Sequence, residues 1–249
     1  MIENVLREGR HIPYKRVLLK LSGELLAGPD KFGISPEACL NTAKAIKALH
    51  SQGVQVGLVI GGGNIFRGLK LESLGMARTP ADHMGMLATM INGISLQQSL
   101  EAIGCPAKIL SALDCPKVVE SYTWAKAQEY LSAGFPVIFV GGTGNPYFTT
   151  DTCAALRAAE IKADVLLKAT KVDGIYNKDP MKSPDAVKYE TITYGQILAE
   201  KLEVMDATSI ALCRSNNIPV LVFNMSRLND TQILTLLSQQ NIGTLVTPG

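Results

Sequence analysis

The stretch LVIGGGNIFRG, residues 58–68, joins an apolar run to three consecutive glycines and then to a single arginine. An apolar run that ends in glycines predicts a buried β-strand whose end brings the backbone close to a ligand. The G-x-x-x-x-G-K-[ST] motif of P-loop enzymes occurs nowhere in the sequence, because no glycine is followed directly by lysine. We therefore expect the positive charge that a phosphate needs to come from other parts of the chain.

Similar apolar runs alternate with helical patterns along the rest of the sequence. The predicted strands span 16–22, 54–60, 106–111, 136–140, 164–170 and 219–224, and the predicted helices span 35–53, 81–103, 122–133, 149–160, 193–203, 206–217 and 228–239. The strands are apolar on both faces, as buried parallel strands are. This alternation predicts an α/β fold, with a mainly parallel sheet covered by helices on both sides. We expect a polar N-terminal extension over residues 1–14 and a single domain over residues 15–249.

Composition argues against several classes of protein. The net charge of +2 comes from 24 basic and 22 acidic residues scattered along the chain, so no basic stripe for nucleic acid is present. The five cysteines and three histidines lack zinc-ligand spacing, and we predict no metal site built from protein side chains. Gly and polar residues interrupt every apolar run, and the first 16 residues lack the apolar segment of a signal peptide. We therefore expect a cytoplasmic protein that binds neither nucleic acid nor membranes.

Three predicted strand ends carry glycines beside polar or charged residues. They are KLSGE (20–24), GGGNIFRG (61–68) and GGTGNPYFTTD (141–151). In open α/β sheets, ligands bind outside the carboxyl ends of the strands, where helix N-termini present free N–H groups. A single such turn can serve the backbone alone, whereas three in one chain indicate a site for several phosphates.

The last of these turns has the groups that a nucleoside monophosphate requires. We call residues 141–150 the GTGN loop. Its glycines allow the backbone to approach a phosphate, and its polar side chains can bind a sugar. Pro146, Tyr147 and Phe148 form an apolar wall on which a base could rest. Either Thr149 or Thr150 is suited to cap the helix that follows.

We call GGGNIFRG (61–68) the glycine turn. Two lysines elsewhere in the chain could supply the positive charge that a P-loop lysine would provide at such a turn. Lys20 and Lys168 each lie inside an apolar strand pattern, where an unpaired cation would be costly to bury. Either lysine alone could simply project from a strand end into water. Together, beside three glycine-bearing turns, they favour the neutralisation of charge during phosphoryl transfer between two polyanions. No G-x-S-x-G motif competes with this interpretation.

Six motifs resemble, in their order, those of the bacterial uridylate (UMP) kinases of the amino acid kinase family. They are KLSGE, VIGGGNIFRG, DHMGMLAT, GTGNPYFTTD, LKATKVDGIYNKDP and FNM, and the similarity extends from about Tyr14 to the C-terminus. The resemblance implies a three-layer αβα sandwich around the mainly parallel sheet. It implies the reaction ATP + UMP → ADP + UDP, with Mg²⁺ accompanying ATP. It also implies feedback inhibition by UTP and a homohexameric assembly.

The resemblance implies roles for individual residues as well. Catalytic roles fall to Lys20 and Lys168. The implied ATP-binding residues are Lys20, Leu21, Ser22, Gly23, Gly63, Arg67, Thr170, Tyr176 and Asp179. The implied UMP-binding residues are Gly62, Asp82, Thr143, Gly144, Asn145, Pro146, Tyr147, Phe148, Thr149 and Thr150. Asp82 would hold the ribose hydroxyls, and it is also a carboxylate of the kind favoured near a helix N-terminus.

Several alternatives stay open in the sequence. Asp206 begins a predicted helix and could orient a catalytic lysine, although capping of that helix is the simpler interpretation. The segment GPDKFG (28–33) stands where many uridylate kinases have a region associated with GTP activation, but its middle residues differ, so a GTP effect stays open. Kinases of this fold that act on carbamate or acyl amino acids would not need the GTGN loop. A protein that binds nucleotide without turnover, as molybdenum storage proteins of this fold do, would not need both lysines.

Overall fold

The computed structural model describes residues 12–30, 32–66, 75–229, 232–238 and 242–249. Residues 1–11, which make up most of the predicted extension, lie outside the described residues. Lys31 and Arg67 also lie outside them, so the expectations for the middle of the 28–33 segment and for the arginine of the glycine turn stay expectations.

Strands and helices alternate along the described residues. The strands are β1 (Arg16–Leu21), β2 (Gln55–Ile60), β3 (Lys108–Ser111), β4 (Glu120–Ser121), β5 (Val137–Val140), β6 (Val165–Thr170), β7 (Ile175–Tyr176), β8 (Lys188–Tyr189), β9 (Thr191–Thr193), β10 (Val220–Asn224) and β11 (Thr244–Thr247). The α-helices are α1 (Glu24–Ala27), α2 (Pro36–His50), α3 (Arg78–Ala102), α4 (Trp124–Ser132), α5 (Thr150–Glu160), α6 (Tyr194–Ala199), α7 (Ala207–Ser215) and α8 (Gln232–Ser238). Every strand and helix predicted from the sequence is present, with bounds that differ by a few residues.

Among the described residues, nine strands form one sheet in the order β4-β3-β5-β2-β1-β6-β10-β11-β9. Neighbouring strands are parallel except for β10 and β11. The predicted mainly parallel sheet is therefore confirmed. The strands β7 and β8 pair separately as an antiparallel hairpin. The sequence did not reveal these two strands, because segments of two residues are too short to show a period.

Helices cover both faces of the sheet. Successive side chains of β1 enter different cores, as expected for a strand buried on both faces. Val17, Leu19 and Leu21 pack with α2, α3 and α8, whereas Leu18 packs on the other face with α4, α5 and α7. These three layers confirm the predicted αβα sandwich. None of the helices in the described part of the chain combines the length and the apolar character needed to cross a bilayer.

The sheet order brings the three glycine-bearing turns to one edge. β1 lies between β2 and β6, and Lys20 is paired in register with Val59 on one side and Lys168 on the other. Because β1, β2, β5 and β6 are parallel, their carboxyl ends meet at the same edge of the sheet. The fold therefore gathers both lysines and the three turns at that edge.

Candidate active site

The GTGN loop turns sharply away from the end of β5. Gly141, Gly142 and Gly144 have φ angles of 75°, 60° and 83°, which residues with side chains rarely adopt. A Cβ atom on Gly141 would also lie 2.9 Å from the backbone nitrogen of Leu113. Glycine is therefore required by geometry at the start of this loop.

The loop leads into the N-terminus of α5. The hydroxyl oxygen of Thr149 accepts hydrogen bonds from the N–H groups of Asp151 and Thr152, at 3.1 and 3.2 Å. Thr149, and not Thr150, is thus the cap of this helix. The positive end of the α5 dipole faces the loop, which favours an anion there.

The first cleft lies between the glycine turn after β2, the start of α3 and the GTGN loop, and its volume is about 150 Å³. Glycines, neutral polar side chains, one carboxylate and aromatic rings line it, in the mixture that suits a nucleoside monophosphate. The lining includes the predicted UMP-binding residues Gly62, Asp82, Thr143, Asn145, Phe148, Thr149 and Thr150. Gly63, which the resemblance assigns to ATP, lines this cleft as well.

Asp82 connects the start of α3 to the GTGN loop. Arg78 Nε donates to both carboxylate oxygens at 2.9 Å, and the Tyr147 N–H donates to Oδ2 at 2.7 Å. The Arg78 guanidinium also lies 5.6 Å from the centre of the Tyr147 ring, within cation–π range. These contacts hold Tyr147 at a φ of 72°, which is uncommon for a residue with a side chain.

The second cleft has a volume of about 710 Å³ and lies at the ends of β1 and β6, against the β7–β8 hairpin. Its size is that of a pocket for a whole nucleotide. It is lined by Lys168 and by the predicted ATP-binding residues Lys20, Ser22, Thr170, Tyr176 and Asp179. The Tyr176 hydroxyl donates a hydrogen bond to Asp173, and this bond raises the pKa of Tyr176.

Asp151 links the two lysines where the clefts meet. Its Oδ1 lies 2.9 Å from Lys20 Nζ, and its Oδ2 accepts a hydrogen bond from Lys168 Nζ at 2.6 Å. Thr149 and Thr150, the residues just before Asp151, line the first cleft, whereas both lysines line the second. One carboxylate thus holds two ammonium groups at the boundary between the clefts.

Burial and charge oppose each other in this cluster. Burial favours the neutral form of Asp151, but attraction to Lys20 and Lys168 outweighs it, so the pKa of Asp151 lies below its ordinary value of 3.8. For Lys168, burial lowers the pKa from 10.5 more than the nearby Asp151 raises it. With all three groups charged, the cluster is positive overall, which favours a bound polyanion.

The segment before α7 reaches the same cluster. Lys168 Nζ donates a second hydrogen bond to the carbonyl oxygen of Val204 at 2.6 Å. Asp206 accepts a hydrogen bond at 2.9 Å from a backbone N–H in the first turn of α7, which confirms the capping interpretation. Its carboxylate also accepts hydrogen bonds from the hydroxyls of Thr149 and Thr152. Asp206 therefore joins α7 to the end of the GTGN loop.

Comparison with known proteins agrees with this fold. The family model described as the amino acid kinase family matches residues 15–224. The chain belongs to the amino acid kinase family. A uridylate kinase of Protochlamydia amoebophila is 62% identical to it over 235 residues, which are 94% of each chain. A uridylate kinase of Pseudomonas paraeruginosa is 51% identical, over 95% of this chain and 96% of its own length.

Solved structures of this family superimpose over nearly the whole chain. The UMP kinase of Bacillus anthracis aligns with a TM-score of 0.91 at 34% identity, over 95% of this chain and 97% of that one. The UMP kinase of Ureaplasma parvum aligns with a TM-score of 0.88 at 39% identity, over 94% of this chain and 98% of that one. The amino acid kinase fold that the motifs imply is therefore confirmed.

Some residues that the resemblance assigns to nucleotide binding do not line either of the two clefts formed by the described residues. Leu21 is fully buried in the core, so a ligand could meet only its backbone. A Cβ atom on Gly23 would lie 2.4 Å from the carbonyl oxygen of Gly61, so this glycine allows close packing of two turns. Of the residues in the GTGN loop that the resemblance assigns to UMP, Gly144, Pro146 and Tyr147 are outside the lining.

Sequence reasoning did not assign a role to Asp151. A signal for it was available, because two lysines inside apolar strands require a buried counter-charge. Asp151 directly follows the GTGN loop and is acidic in the first turn of α5. Val204 offered no such signal, since it contributes a backbone carbonyl that any residue would provide.

Within the described ranges, no group of three His, Cys, Asp or Glu side chains is placed to hold a metal ion. Mg²⁺ in phosphoryl-transfer enzymes commonly binds through one or two carboxylates and the phosphates of the substrate. Asp151 is already committed to two lysines.

Proposed function

We propose that this member of the amino acid kinase family is a uridylate kinase, which transfers the γ-phosphoryl group of ATP to UMP and releases ADP and UDP. Relatives with that name are 62% and 51% identical over almost all of the chain. The observation that carries the proposal is the pair of lysines linked by Asp151 at the boundary between the two clefts. Such a cluster suits the transfer of charge-rich groups from one cleft to the other.

Transfer would take place directly between the two nucleotides. An oxygen of the UMP phosphate would attack the γ-phosphorus of ATP, and the bond from that phosphorus to the oxygen retained by ADP would break. Lys20 and Lys168 would neutralise the charge on the transferred group and on the oxygens on either side of it. Asp151, with its low pKa, would stay ionised and hold both ammonium groups in place.

UMP would occupy the first cleft. Its phosphate would lie against the backbone of Gly62 and the N-terminus of α5, where N–H groups and the helix dipole favour an anion. Asp82 would accept hydrogen bonds from the ribose hydroxyls, and Phe148 would pack against the base. Thr143, Asn145 and Thr149 of the GTGN loop would complete the wall around the nucleotide.

ATP would occupy the second cleft. Its phosphates would lie near Lys20 and Ser22, and its nucleoside near Thr170, Tyr176 and Asp179. Mg²⁺ bound to the phosphates would reduce the negative charge that the two lysines have to neutralise. Arg67 would add positive charge from the glycine turn, as the resemblance implies.

Finer properties of the proposal derive from the resemblance to uridylate kinases. They are feedback inhibition by UTP and a homohexamer, whereas the proposed single domain and cytoplasmic location rest on the composition of the sequence. Self-association is supported by Met84, Leu87 and Ile91, which are 41%, 52% and 51% exposed along one side of α3. Exposed apolar residues in such a row are typical of subunit contacts. A GTP effect is left open.

The test is acceptor-dependent release of ADP. Purified protein is given Mg·ATP with UMP, CMP, dUMP or AMP, or without acceptor, and ADP is measured by a coupled assay. We expect turnover with UMP to exceed that with every other acceptor. Bound ATP without acceptor-dependent ADP release would contradict the proposal and would favour nucleotide binding without turnover.

A further inference from the structure

Two asparagine side chains form a buried pair behind the glycine turn. Asn64 lies in that turn and Asn92 lies on α3, and both residues are 0% exposed. Asn64 Nδ2 donates to Asn92 Oδ1 at 3.0 Å, and Asn92 Nδ2 donates to Asn64 Oδ1 at 2.7 Å. Because each amide both donates to and accepts from the other, each fixes the orientation of its partner.

The second hydrogen of each amide holds a backbone carbonyl. Asn92 Nδ2 donates to the Gly61 carbonyl at 2.7 Å, and Asn64 Nδ2 donates to the Gly33 carbonyl at 2.7 Å. All four amide hydrogens of the pair are therefore used. The pair joins the glycine turn, α3 and the segment before α2 that contains Gly33.

The hydrogen bond to Gly61 determines which way the glycine turn faces. The Gly61 carbonyl and the Gly62 N–H belong to one planar trans peptide, so they point in opposite directions. Since Asn92 holds the Gly61 oxygen, the Gly62 N–H is directed away from the asparagine pair. Gly62 itself lines the first cleft. The orientation of this peptide therefore determines whether the Gly62 N–H can donate a hydrogen bond to a phosphate in the cleft.

The turn after β1 packs against the same pair. A Cβ atom on Gly23 would lie 2.3 Å from Asn64 Oδ1 and 3.0 Å from Asn92 Nδ2. Distances this short exclude a side chain at Gly23. The neighbouring residue Ser22 lines the second cleft, so the pair supports a turn of that cleft as well.

One face of α3 also supports the GTGN loop. Thr89 lies one turn before Asn92, and residues three apart share a helix face. The Thr89 hydroxyl accepts a hydrogen bond from the Gly141 N–H at 2.8 Å and donates to the Met86 carbonyl at 2.6 Å. The ends of β2 and β5 are therefore held by the same face of the same helix.

We infer that Asn64 and Asn92 are positioning residues for phosphoryl transfer, which set the spacing between the turns that would hold the two reacting phosphates. The inference rests on the proposed function. An apolar pair of similar size would fill the same space, but it would leave the Gly61 peptide without an orienting donor. The asparagines act through the Gly61–Gly62 peptide and through Gly23, and not through a reacting atom.

The variants N92D and N64D test this role, because each keeps the size of the side chain and removes its donor hydrogens. Q97E is the matched control, since Gln97 lies on the same helix and its Nε2 donates to the Ala107 carbonyl at 2.9 Å, outside both clefts. For wild type and each variant, the measurements are kcat, the KM values for UMP and ATP, the affinity for each nucleotide alone, and the folded fraction across a range of pH.

We expect N92D to lower kcat per folded molecule about 100-fold at neutral pH, since a small misplacement of reacting groups costs that much. The affinity for UMP or ATP alone should change less than about 3-fold, because each cleft keeps its own contacts. At lower pH, kcat of N92D relative to wild type should rise, since a protonated carboxyl donates one hydrogen again. Q97E should match wild type throughout.

Wild-type kcat in both N92D and N64D, or a loss of kcat per folded molecule that no pH restores, would overturn the positioning role. If N92D does not fold, N92L carries the comparison, because leucine is similar in size to asparagine and has no donor hydrogen. Wild-type kcat per folded molecule in N92L would overturn the inference. Wild-type protein that shows no UMP-dependent ADP release would overturn the proposed function together with the inference. Active wild type with unaffected variants would overturn the inference alone.

Discussion

The carboxylate of Asp151 lies 2.6 Å from the ammonium group of Lys168, a residue that is only 7% exposed. Removal of one partner from a buried pair of this kind costs about 3–5 kcal/mol, because the remaining charge has no counter-charge. The same carboxylate also holds Lys20, which is the register partner of Lys168 on the neighbouring strand. The geometry of both lysines therefore depends on one side chain.

Replacement of Asp151 by asparagine should lower kcat at least about 100-fold, since the two lysines would repel each other and lose their positions. Steady-state kinetics with Mg·ATP and UMP gives this value. Glu120→Gln is the matched control, because Glu120 forms an ion pair with Lys126 at the surface at 2.5 Å, and such pairs contribute little. Equal kcat in Asp151→Asn and in the control would show that the carboxylate does not position the lysines.

Deprotonation of Lys168 should cause the loss of activity at alkaline pH. Its pKa is lowered from 10.5, mainly by burial, so as the pH rises it loses its proton before an exposed lysine does. We expect kcat to fall at a pH below 10.5, and Lys168→Arg to shift that fall to higher pH, because arginine stays protonated. Between the lowered pKa of Lys168 and 10.5, the unfolded chain binds more protons than the folded one, so the contribution of Lys168 to the free energy of unfolding rises with pH. A pH–kcat profile unchanged in Lys168→Arg would contradict the assignment.

Lys20→Ala should reduce kcat far more than it weakens UMP binding, by about 100-fold or more against less than about 3-fold. The reason is the position of Lys20 in the second cleft, beside Asp151 and apart from the first cleft. Calorimetry gives the affinity for UMP, and Lys117→Ala, at an exposed position outside both clefts, serves as control. A normal kcat in Lys20→Ala would remove this lysine from the catalytic step.

Asp82→Asn should raise the KM for UMP about 10-fold or more, because a charge-assisted hydrogen bond is worth about 1.5–3 kcal/mol. The change also weakens the contacts of this carboxylate with Arg78 and with the Tyr147 N–H. The KM for ATP should stay within about 2-fold, since Asp82 lines the first cleft. An unaltered affinity for UMP in calorimetry would rule out the ribose contact.

Asp206→Ala should lower stability and also raise the KM for UMP. Loss of a helix cap costs about 1 kcal/mol, and Asp206 additionally holds the hydroxyl of Thr149 in the GTGN loop. Thr123→Ala removes the cap of α4, which accepts from the Lys126 N–H at 3.2 Å, and should lower stability without a change in KM. If both variants leave the KM for UMP unchanged, Asp206 serves only as a cap.

The sequence predicted the main elements of the fold because their signals are local. Long apolar runs marked the buried strands, and Ser35 followed by Pro36 marked the start of α2, where Ser35 accepts from the Ala38 N–H. The β7–β8 hairpin is absent from the predicted strands, because its two-residue strands are defined by pairing between Ile175 and Tyr189 and not by a local pattern.

The candidate site was predictable only in part. Lys20 and Lys168 were singled out from their apolar surroundings, and the parallel register places them side by side. Asp151, Asn64 and Asn92 contact partners that are distant in sequence, so no local pattern indicates their roles. Asn64 and Asn92 are 28 positions apart, and each could as well have been a surface residue. The roles assigned to the residues around the nucleotides stay predictions.

A single-turnover experiment with ATP labelled in its γ-phosphoryl group tests whether the phosphoryl group passes directly from one cleft to the other. Labelled ATP and excess UMP are mixed with the protein, and the label is followed in nucleotides and in protein. If the two clefts form one site for direct transfer, the label will appear in the β-phosphate of UDP at the rate at which ADP forms, and none will be bound to protein. Label in free phosphate, label covalently attached to the protein, or ADP formation that does not depend on UMP would contradict direct transfer between the two nucleotides.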